Sequence, residues 1–572
     1  MAIGTTARTP VLIVGGGPIG LALAADLGRR GVAVMLVEKN ENKLGPAKML
    51  EVSVRTMEFC RQLGIAQKVR NWGFPLDYPL DNAFVTDMQG YEIGRIRVPS
   101  LSERSDSAFS PERGLMCPQT WFDPILQDCA RSFPQITIRH EVMLESFEQD
   151  PTGVTATLRD QRNGEAEIVR ADYMIGCDGF ASTVRDLLGI EIRGERHIDW
   201  SMNVYLRIPN FSDQHDKDPA VRYVFVGPEG TWSFISFVDG KDLWRLQVVG
   251  LDENKLQNAD IPALVRRFMG RDIRYTIESK TLWVRKRTVA DRFMDGRVFL
   301  AGDSAHAHPP NGGLGMNTGL QDAFDLGWKL AAVVQGWGGP ALTESYDPER
   351  RPASARAAEV SLSNYRRLID GTRHAHILAP TPAGDVARRE IGQRLVQENM
   401  KSWQPTGVHL GYIYHPSPIV VPDGTPKPAD DTIGYVPTTF PGARAPHCWL
   451  EPGRSTLDLF GDGFVLLVFS DVATGPLEHA AAAVGLPLTV RRVASPSAAA
   501  LYGRRLVLVR PDGHVAWRSD ALPENAADLI DTVRGVGPRI AARRARPRHD
   551  ARQADADGNA MFPARAIQNK SY

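Results

Sequence analysis

Residues 11–38 decide the fold, and they read VLIVGGGPIGLALAADLGRRGVAVMLVE. The apolar run VLIV predicts a short buried strand, and LALAADLG predicts a helix that ends near Gly31. VAVMLVE predicts a second strand. Since parallel strands are joined by a crossover helix, the stretch predicts a βαβ unit within an α/β domain.

The turn GGGPIG between the first strand and the helix has the residues that a dinucleotide site needs. Gly15 permits a tight turn, Gly17 lets the backbone approach a pyrophosphate, and Gly20 lets helix and strand pack closely. The first N–H groups of the helix, which begins near Pro18, attract phosphate charge. Strand, glycines and helix in this order therefore predict a bound dinucleotide.

The second strand ends in an acidic residue, as dinucleotide sites require. The carboxylate of Glu38 would accept hydrogen bonds from ribose hydroxyls, and Lys39 follows it. An acid at this position suits a ribose without a phosphate, so FAD or NAD fits better than NADP.

Two later strands also end in an acid. YMIGCDG at 173–179 predicts a strand that ends before Asp178 and Gly179, although a strand-ending Asp-Gly is often only a turn. RVFLAGDSAH at 297–306 predicts a buried strand, after which Asp303 could accept from a sugar hydroxyl. The loop HPPNGGLGMN then opens a helix whose free amides would stabilise a nearby negative charge, such as that of a reduced flavin.

The chain of 572 residues is too long for one hydrophobic core. Alternating segments such as NVYLRI and WSFISFV predict an inserted antiparallel sheet, and a proline-rich stretch precedes a smaller α/β region. We predict a discontinuous dinucleotide-binding domain at 8–190 and 285–375 and a substrate-binding sheet domain at 191–284, which part of 75–110 joins. A linker at 376–425, a third domain at 426–540 and a disordered tail at 541–572 are predicted to follow.

Composition excludes several classes of function. Lys+Arg 67 balance Asp+Glu 67, so no global field attracts nucleic acid, and no apolar run is long enough for membrane insertion. The 5 cysteines show no paired spacing, which predicts neither disulfides nor a metal cluster and favours a cytoplasmic protein.

The three motifs GGGPIG, CDG and GDSAH, in this order, resemble those of the class A flavoprotein aromatic-ring hydroxylases, and among them the phenol and 2,4-dichlorophenol hydroxylases of aromatic catabolism. The resemblance covers about residues 10 to 375, and the third domain resembles the thioredoxin-like C-terminal domain of these enzymes, here without a CxxC. It implies a Rossmann-like FAD-binding domain, FAD as cofactor, NADH or NADPH as a transient co-substrate, O2, a small phenolic substrate and a homodimer. The oxygen would be transferred through a C4a-hydroperoxyflavin.

The resemblance also implies site residues, and two positions depart from the family. Lys48 stands where the family usually has an arginine, and Leu50 stands where some phenol hydroxylases have a polar residue, so the catalytic base is not identified. Arg287 is a candidate for stabilising a phenolate, with a salt bridge as the alternative, and Pro310 is a candidate facing the flavin. The implied cofactor-binding residues are Gly15, Gly17, Pro18, Gly20, Glu38, Lys39, Lys48, Gln119, Asp178, Gly179, Gly302, Asp303, Pro310, Leu314, Gly315, Met316 and Asn317.

Other interpretations stay open at this point. A flavin-dependent epoxidase or halogenase is possible, although the halogenase signature WxWxIP is absent, and so is a non-catalytic flavoprotein that sequesters an aromatic ligand. A metal site at His306, His308 and Asp303 is rejected because it would displace the flavin. The tryptophans Trp200, Trp232, Trp244 and Trp283 could line an aromatic pocket, but packing in the sheet core is favoured.

Overall fold

The structure, a computed structural model, describes residues 7–42, 45, 48–105, 107–369, 373–403 and 406–537. In chain order its strands are β1 Ala7–Val14, β2 Val34–Glu38, β3 Glu51–Val52, β4 Asn82–Val85, β5 Glu92–Ile96, β6 Leu115–Met116, β7 Ile136–His140, β8 Val142–Asp150, β9 Gly153–Asp160, β10 Ala166–Gly176, β11 Ile192–Arg207, β12 Arg222–Gly227, β13 Gly230–Phe237, β14 Leu243–Leu251, β15 Thr276–Ala290, β16 Met294–Asp295, β17 Val298–Leu300, β18 His306–Ala307, β19 Trp449–Glu451, β20 Arg454–Ser455, β21 Phe464–Val468, β22 Leu488–Arg492, β23 Leu506–Val509 and β24 Val515–Ser519. Its α-helices are α1 Pro18–Arg29, α2 Val54–Gln62, α3 Ala66–Arg70, α4 Gln119–Arg131, α5 Thr183–Leu187, α6 Glu253–Gln257, α7 Ile261–Met269, α8 Leu314–Val334, α9 Pro340–Glu344, α10 Tyr346–Leu368, α11 Pro382–Trp403, α12 Thr406–Leu410, α13 Gly475–Ala483, α14 Pro496–Tyr502 and α15 Ala526–Val533.

The predicted βαβ unit forms the centre of the first sheet. Strand β1 pairs in parallel with β2 on one side and with β10 on the other, in the order β16-β17-β10-β1-β2-β7. Its central residues are fully buried because α1 and α8 cover the sheet. Since β1, β10 and β17 are parallel, the motifs that follow them meet at one edge of the sheet.

The second sheet has the order β18-β15-β11-β14-β13-β12-β4-β5 and is antiparallel except where β4 runs parallel to β12. Strands β4 and β5 come from residues 82–96, far before the other strands in sequence, and extend this sheet. Strand β15 continues from 276 to 290, across the predicted boundary at 284, because it pairs along most of β11.

The third region is built on a sheet of order β22-β21-β23-β24, in which β22 is parallel to β21 and the other pairs are antiparallel. It packs against the C-terminal half of α8, where Trp328 shares a core cluster with Phe464. Buried ion pairs cross the same contact, since Arg510 binds Glu349 at 2.7 Å and Asp325 at 3.0 Å. Charge and apolar packing therefore hold this region on the domain that contains α8 and the first sheet.

The predicted linker over 376–425 is wrong in part. Helices α11 and α12 occupy much of it, and α11 packs on β5 with Ile391 and Leu395 buried against Phe84 and Ile96. Ile391 and Leu395 stand four positions apart and therefore lie on one side of the helix, as in a packed amphipathic helix. The prolines near α11 are typical of a linker, and this is why a linker was predicted. The predicted tail at 541–572 lies outside the described residues.

A membrane crossing would need a long apolar helix. In the parts of the chain that the structure describes, no helix combines the length and the apolarity to span a bilayer.

Candidate active site

A cavity of about 840 Å³ lies between the two sheets. Its lining includes Gly17 and Pro18, where α1 begins, together with Asp303 and Pro310. One face of the second sheet and residues of α10, α11 and α12 also line the cavity. The predicted motifs and the inserted sheet therefore share one space.

The three fingerprint glycines play different parts. A Cβ on Gly15 would lie 2.3 Å from the carbonyl oxygen of Cys177, and a Cβ on Gly20 would lie 2.1 Å from the carbonyl oxygen of Gly15. Gly15 also has φ of +113°, which favours glycine. At Gly17, by contrast, a Cβ would meet no atom within 4 Å. Two of the glycines thus allow close packing, and the third leaves open space at the N-terminus of α1.

Glu38 lies beside this turn. Its carboxylate accepts from the N–H of Gly16 at 2.7 Å and from the N–H of Asn40 at 2.9 Å. Glu38 therefore fixes the turn, and neither it nor the exposed Lys39 is among the residues that line the cavity. Their contact with a ribose remains a prediction.

The side chain of Asp178 is directed to its own loop rather than to the cavity. It accepts from Ser182 Oγ at 2.6 Å and from the N–H of Val184 at 3.1 Å, at the start of α5. Burial raises the pKa of this carboxyl, and the hydrogen bonds oppose that rise. Its neighbours Cys177 and Gly179 line the cavity and Asp178 does not, and its contact with the cofactor stays a prediction.

Asp303 faces the cavity at the end of β17. Its carboxylate makes no hydrogen bond to any residue that the structure describes, and protein surrounds it on the other sides. Burial raises its pKa, while His306 and Lys48 nearby lower it. Gly302 before it has φ of +65° and packs on Ile19, which brings this loop onto α1. Asp303 is thus an unused acceptor aimed at the ligand space.

The loop before α8 also borders the cavity. Pro310, Gly315 and Met316 line it, so free N–H groups at the start of this helix lie beside the ligand space. Leu314 does not line it, because its side chain is buried with Ala357 and Val408. The predicted place of the Leu314 to Asn317 turn against the flavin stays a prediction, and it would involve the backbone of Leu314 rather than its side chain.

Asn317 uses its whole side chain within the protein. Its Oδ1 accepts from the N–H of Ser53 at 2.8 Å and from Thr56 Oγ1 at 2.7 Å, and its Nδ2 donates to the carbonyl oxygens of Glu51 and Gly313. These bonds tie the start of α8 to residues 51–56. Asn317 also lines the cavity, and its contact with the flavin stays a prediction.

Lys48 and Gln119 both line the cavity. Both are predicted to contact the cofactor. Gln119 Nε2 donates to Asp123 Oδ2 at 3.0 Å. Burial raises the pKa of Asp123 to about 7, against the opposing effects of Gln119 and Lys48. Sequence reasoning missed Asp123, which stands within CPQTWFDPIL and lacks any motif of its own.

Arg287 forms an ion pair with Glu359 of α10 and does not line the cavity. This contact favours the salt-bridge alternative, and a role toward a phenolate stays a prediction. His306 is also engaged within the protein, because its Nε2 lies 2.7 Å from Asp322 Oδ2. Asp322 also accepts from Arg350 Nε at 2.8 Å and from the N–H of Gly302. The described residues contain no group of three side chains that could hold a metal ion.

The sheet wall of the cavity supplies residues that the sequence did not single out. Arg222, Arg245 and Gln247 line it together with apolar side chains of β4, β12 and β13. Of the tryptophans, Trp232 and Trp244 pack in the sheet core, and Trp283 lines the cavity. The alternation of apolar and polar residues along each strand can be predicted from the sequence. The pairing of one strand with another cannot.

The donors and acceptors around this space fit an extended flavin dinucleotide. Open space above Gly17 at a helix N-terminus suits a pyrophosphate, and the carboxylate of Asp303 suits a ribityl hydroxyl. The N-terminus of α8 suits the negative charge of a reduced flavin.

Comparison with known proteins agrees with this fit. Residues 8–361 match the family described as FAD binding domain, and residues 438–538 match the family described as aromatic-ring hydroxylase, C-terminal. A putative polyketide hydroxylase of Streptomyces halstedii is 34% identical over 93% of this chain and 97% of that protein. The 2,4-dichlorophenol 6-monooxygenase of Cupriavidus pinatubonensis is 30% identical over 93% of this chain and 96% of that protein.

Among solved structures, the rebeccamycin biosynthetic enzyme RebC with reduced flavin superimposes with a TM-score of 0.86 at 38% identity, over 93% of this chain and 100% of RebC. Family matches, relatives and the geometry of the cavity agree with one another. The chain belongs to the FAD-dependent aromatic-ring monooxygenases.

Proposed function

We propose that this protein hydroxylates a small phenolic compound, using NADH or NADPH and O2. The observation that carries the proposal is that the FAD-binding residues and the inserted sheet open into the same cavity. FAD held by these residues would supply the redox chemistry that a monooxygenase needs, namely hydride acceptance from a nicotinamide and activation of O2. The protein's task is to place an aromatic ring beside the flavin and to keep water out.

The first task of the chain is to hold the cofactor. The N-terminus of α1 binds the pyrophosphate above Gly17, and Asp303 accepts from a ribityl hydroxyl. The N–H groups near Gly315 and Met316 would stabilise negative charge on a reduced flavin ring. Asn317 keeps these groups in place through its bonds to residues 51–56.

The second task is to hold the aromatic substrate in a dry space. Phe84, Val224 and Phe234 form an apolar wall, and Ile391 and Leu395 of α11 pack in the same apolar cluster as these side chains. Apolar walls exclude water, which would otherwise consume the activated oxygen without substrate. Leu50 also lines the cavity and cannot accept a proton, so the phenol is not deprotonated by the side chain at that position.

The third domain has a structural part in this proposal. Its elements follow the order β21-α13-β22-α14-β23-β24-α15 with strand order β22-β21-β23-β24, which supports a thioredoxin-like interpretation. Without a CxxC it cannot exchange dithiols. The homodimer and the cytoplasmic location remain predictions.

The test is a panel of phenols assayed with the FAD-loaded protein for NADH and NADPH oxidation and for product. We expect at least one phenol to accelerate oxidation and to appear as a product with one added hydroxyl. Acceleration that yields only hydrogen peroxide, or tight binding of phenols with no acceleration, would contradict the proposal. The second result would favour a protein that sequesters an aromatic ligand.

A further inference from the structure

Gln119 and Asp123 form a pair at the start of α4, beside the cavity. The backbone N–H of Gln119 donates to the carbonyl oxygen of Met49 at 3.0 Å, which fixes this end of the helix next to residues 48–49. The side-chain Nε2 of Gln119 donates to Asp123 Oδ2 at 3.0 Å, one helical turn further on. Gln119 lines the cavity and Asp123 does not, so Asp123 reaches a ligand there through Gln119.

The carboxylate of Asp123 lies in an environment that favours its uncharged form. Its Oδ1 is buried and has no hydrogen-bond partner among the described residues. An oxygen that has lost its water and gained no donor destabilises the negative charge. Burial accordingly raises the pKa of Asp123 to about 7, while the hydrogen bond from Gln119 and the charge of Lys48 oppose this rise. Asp123 therefore changes its charge near neutral pH.

Among the described residues, the charged or titratable side chains that act on Asp123 are those of Lys48 and Cys117. Lys48 lines the cavity and also acts on Asp303. Cys117 is neutral, because burial and the charge of Asp123 raise the pKa of its thiol. The elements packed against α4 use their titratable side chains elsewhere: Asp26 of α1 pairs with Arg29 and Arg30, Lys68 of α3 faces Cys129, and His140 of β7 contacts Gln127.

The protonation of Asp123 decides which end of the Gln119 amide faces the cavity. An ionised carboxylate only accepts hydrogen bonds, so it holds the amide nitrogen and leaves the carbonyl oxygen Oε1 for the ligand space. A protonated carboxyl can donate to Oε1 instead, and the amide then turns Nε2 toward the ligand space. Among the described residues, Asp123 is the hydrogen-bond partner of this side chain, so its protonation state governs the amide.

We propose that Asp123 is a positioning residue for FAD, which sets through Gln119 whether a hydrogen-bond donor or an acceptor faces the cofactor. Gln119 lines the same cavity as Gly17 and Asp303, where the fit described above places the phosphates and the ribityl chain. Phosphate oxygens only accept hydrogen bonds, so they favour the amide nitrogen and with it the protonated acid. Protonation also removes a negative charge near an anionic cofactor. Both effects make FAD bind more tightly when Asp123 is protonated.

The affinity for FAD should therefore fall as the pH rises through 7. Loss of one hydrogen bond to a charged phosphate corresponds to about tenfold weaker binding. FAD keeps its charge between pH 6 and pH 8.5, so a change of affinity over this range belongs to the protein. This inference rests on FAD binding and does not depend on the substrate proposed above, so the phenol panel and the test below can fail independently of each other.

The test is titration of the apoprotein with FAD from pH 6 to pH 8.5 at constant ionic strength, followed by flavin fluorescence. We expect the Kd of the native protein to rise about fivefold or more over this range. In Asp123→Asn the Kd should change by less than about twofold and stay near the native value at pH 6, because asparagine is uncharged and can donate to Oε1. Asp128→Asn is the matched control, since Asp128 is exposed on the same helix, and it should keep the native pH dependence.

A second variant separates the positioning of the amide from the charge of Asp123 alone. Gln119→Leu removes both ends of the amide and should bind FAD about fivefold or more weakly than the native protein at pH 6, where Asp123 is protonated. If only the charge of Asp123 acted on FAD, Gln119→Leu would bind FAD like the native protein at this pH.

Three results would each overturn the proposal: a native Kd that does not change with pH, a pH dependence that persists in Asp123→Asn, or native-like binding by Gln119→Leu at pH 6. Persistence would assign the titration to another group, such as Asp325, a buried carboxyl that does not line the cavity and whose pKa burial also raises. Thermal unfolding of the apoproteins shows whether each variant is folded. If Asp123→Asn does not fold, the native pH dependence and Gln119→Leu still decide.

Discussion

Replacing Gly17 by valine should empty the FAD site without unfolding the protein. Gly17 precedes α1 with φ of −73°, a conformation open to any residue, and a Cβ there would meet no atom within 4 Å. The variant therefore has no steric reason to lose stability. Because valine is a poorer N-cap residue than glycine, we expect its free energy of unfolding without FAD to fall by about 1 kcal/mol or less.

The loss of FAD affinity follows from what the new side chain covers. A valine would fill the space in which the pyrophosphate approaches the N–H groups of α1. One lost charge-assisted hydrogen bond costs about 1.5–3 kcal/mol, and the weakened interaction with the helix dipole costs up to about 1 kcal/mol more. A total of about 3 kcal/mol corresponds to roughly a hundredfold weaker binding of FAD.

The assay is titration of the apoprotein with FAD, followed by flavin fluorescence, with unfolding measured on the same samples. Gly475→Val is the matched control, because Gly475 is the first residue of α13, a Cβ added to it would meet no atom within 4 Å, and it does not line the cavity. Gly20→Ala is the opposite control, because its Cβ would lie 2.1 Å from a backbone oxygen and should impair folding itself. A Gly17→Val protein that binds FAD like the native one would refute the placement of the pyrophosphate.

Three further predictions follow from single contacts. Asp303→Ala should weaken FAD binding by about tenfold to a hundredfold, and excess FAD should restore phenol-dependent NAD(P)H oxidation per bound flavin; a saturated variant without turnover would show a further role of this carboxylate. Glu58→Gln should lower the free energy of unfolding by about 3 kcal/mol at pH 7. Burial would raise the pKa of Glu58, but Arg444 and Arg55 outweigh burial and lower this pKa to about 2. The native carboxylate therefore stabilises the fold above pH 4.5 and loses this effect as the pH falls toward 2. The deficit of Glu58→Gln, measured by denaturant unfolding, should therefore shrink over that pH range, and a deficit that stays constant would contradict this. Arg287→Gln should leave kcat/KM for the substrate within about twofold of the native value, because Arg287 pairs with Glu359 outside the cavity. A loss of tenfold or more would show that Arg287 acts in the active site.

The sequence could predict those parts of the site that depend on short stretches of chain. Gly15 and Gly20 were readable because their backbone demands are local to one turn, and Asp303 was readable because it follows a short buried strand. Leu314 and Asn317 were placed in the correct helix, but the rotation of that helix depends on its packing against Ala357 and residues 51–56.

The face of the second sheet that lines the cavity could not be predicted from the sequence, for a different reason. Arg222 and Arg245 become neighbours only through pairing of β12, β13 and β14, and a shift of one residue in that register would turn either side chain to the other face. Helix α11 was missed because the prolines near it are typical of a linker, whereas Ile391 and Leu395 have buried partners in a strand far away in sequence.

The central claim is that one cavity brings FAD and a phenolic ring together for oxygen transfer, and isotopic labelling tests it most directly. The FAD-loaded protein is supplied with NAD(P)H, a phenol that accelerates its oxidation, and ¹⁸O2 in unlabelled water, and the product is analysed by mass spectrometry. We expect one ¹⁸O atom in each molecule of hydroxylated product, formed in proportion to the NAD(P)H oxidised. Product that carries oxygen from water, or NAD(P)H oxidation that yields hydrogen peroxide with every phenol tried, would contradict the account.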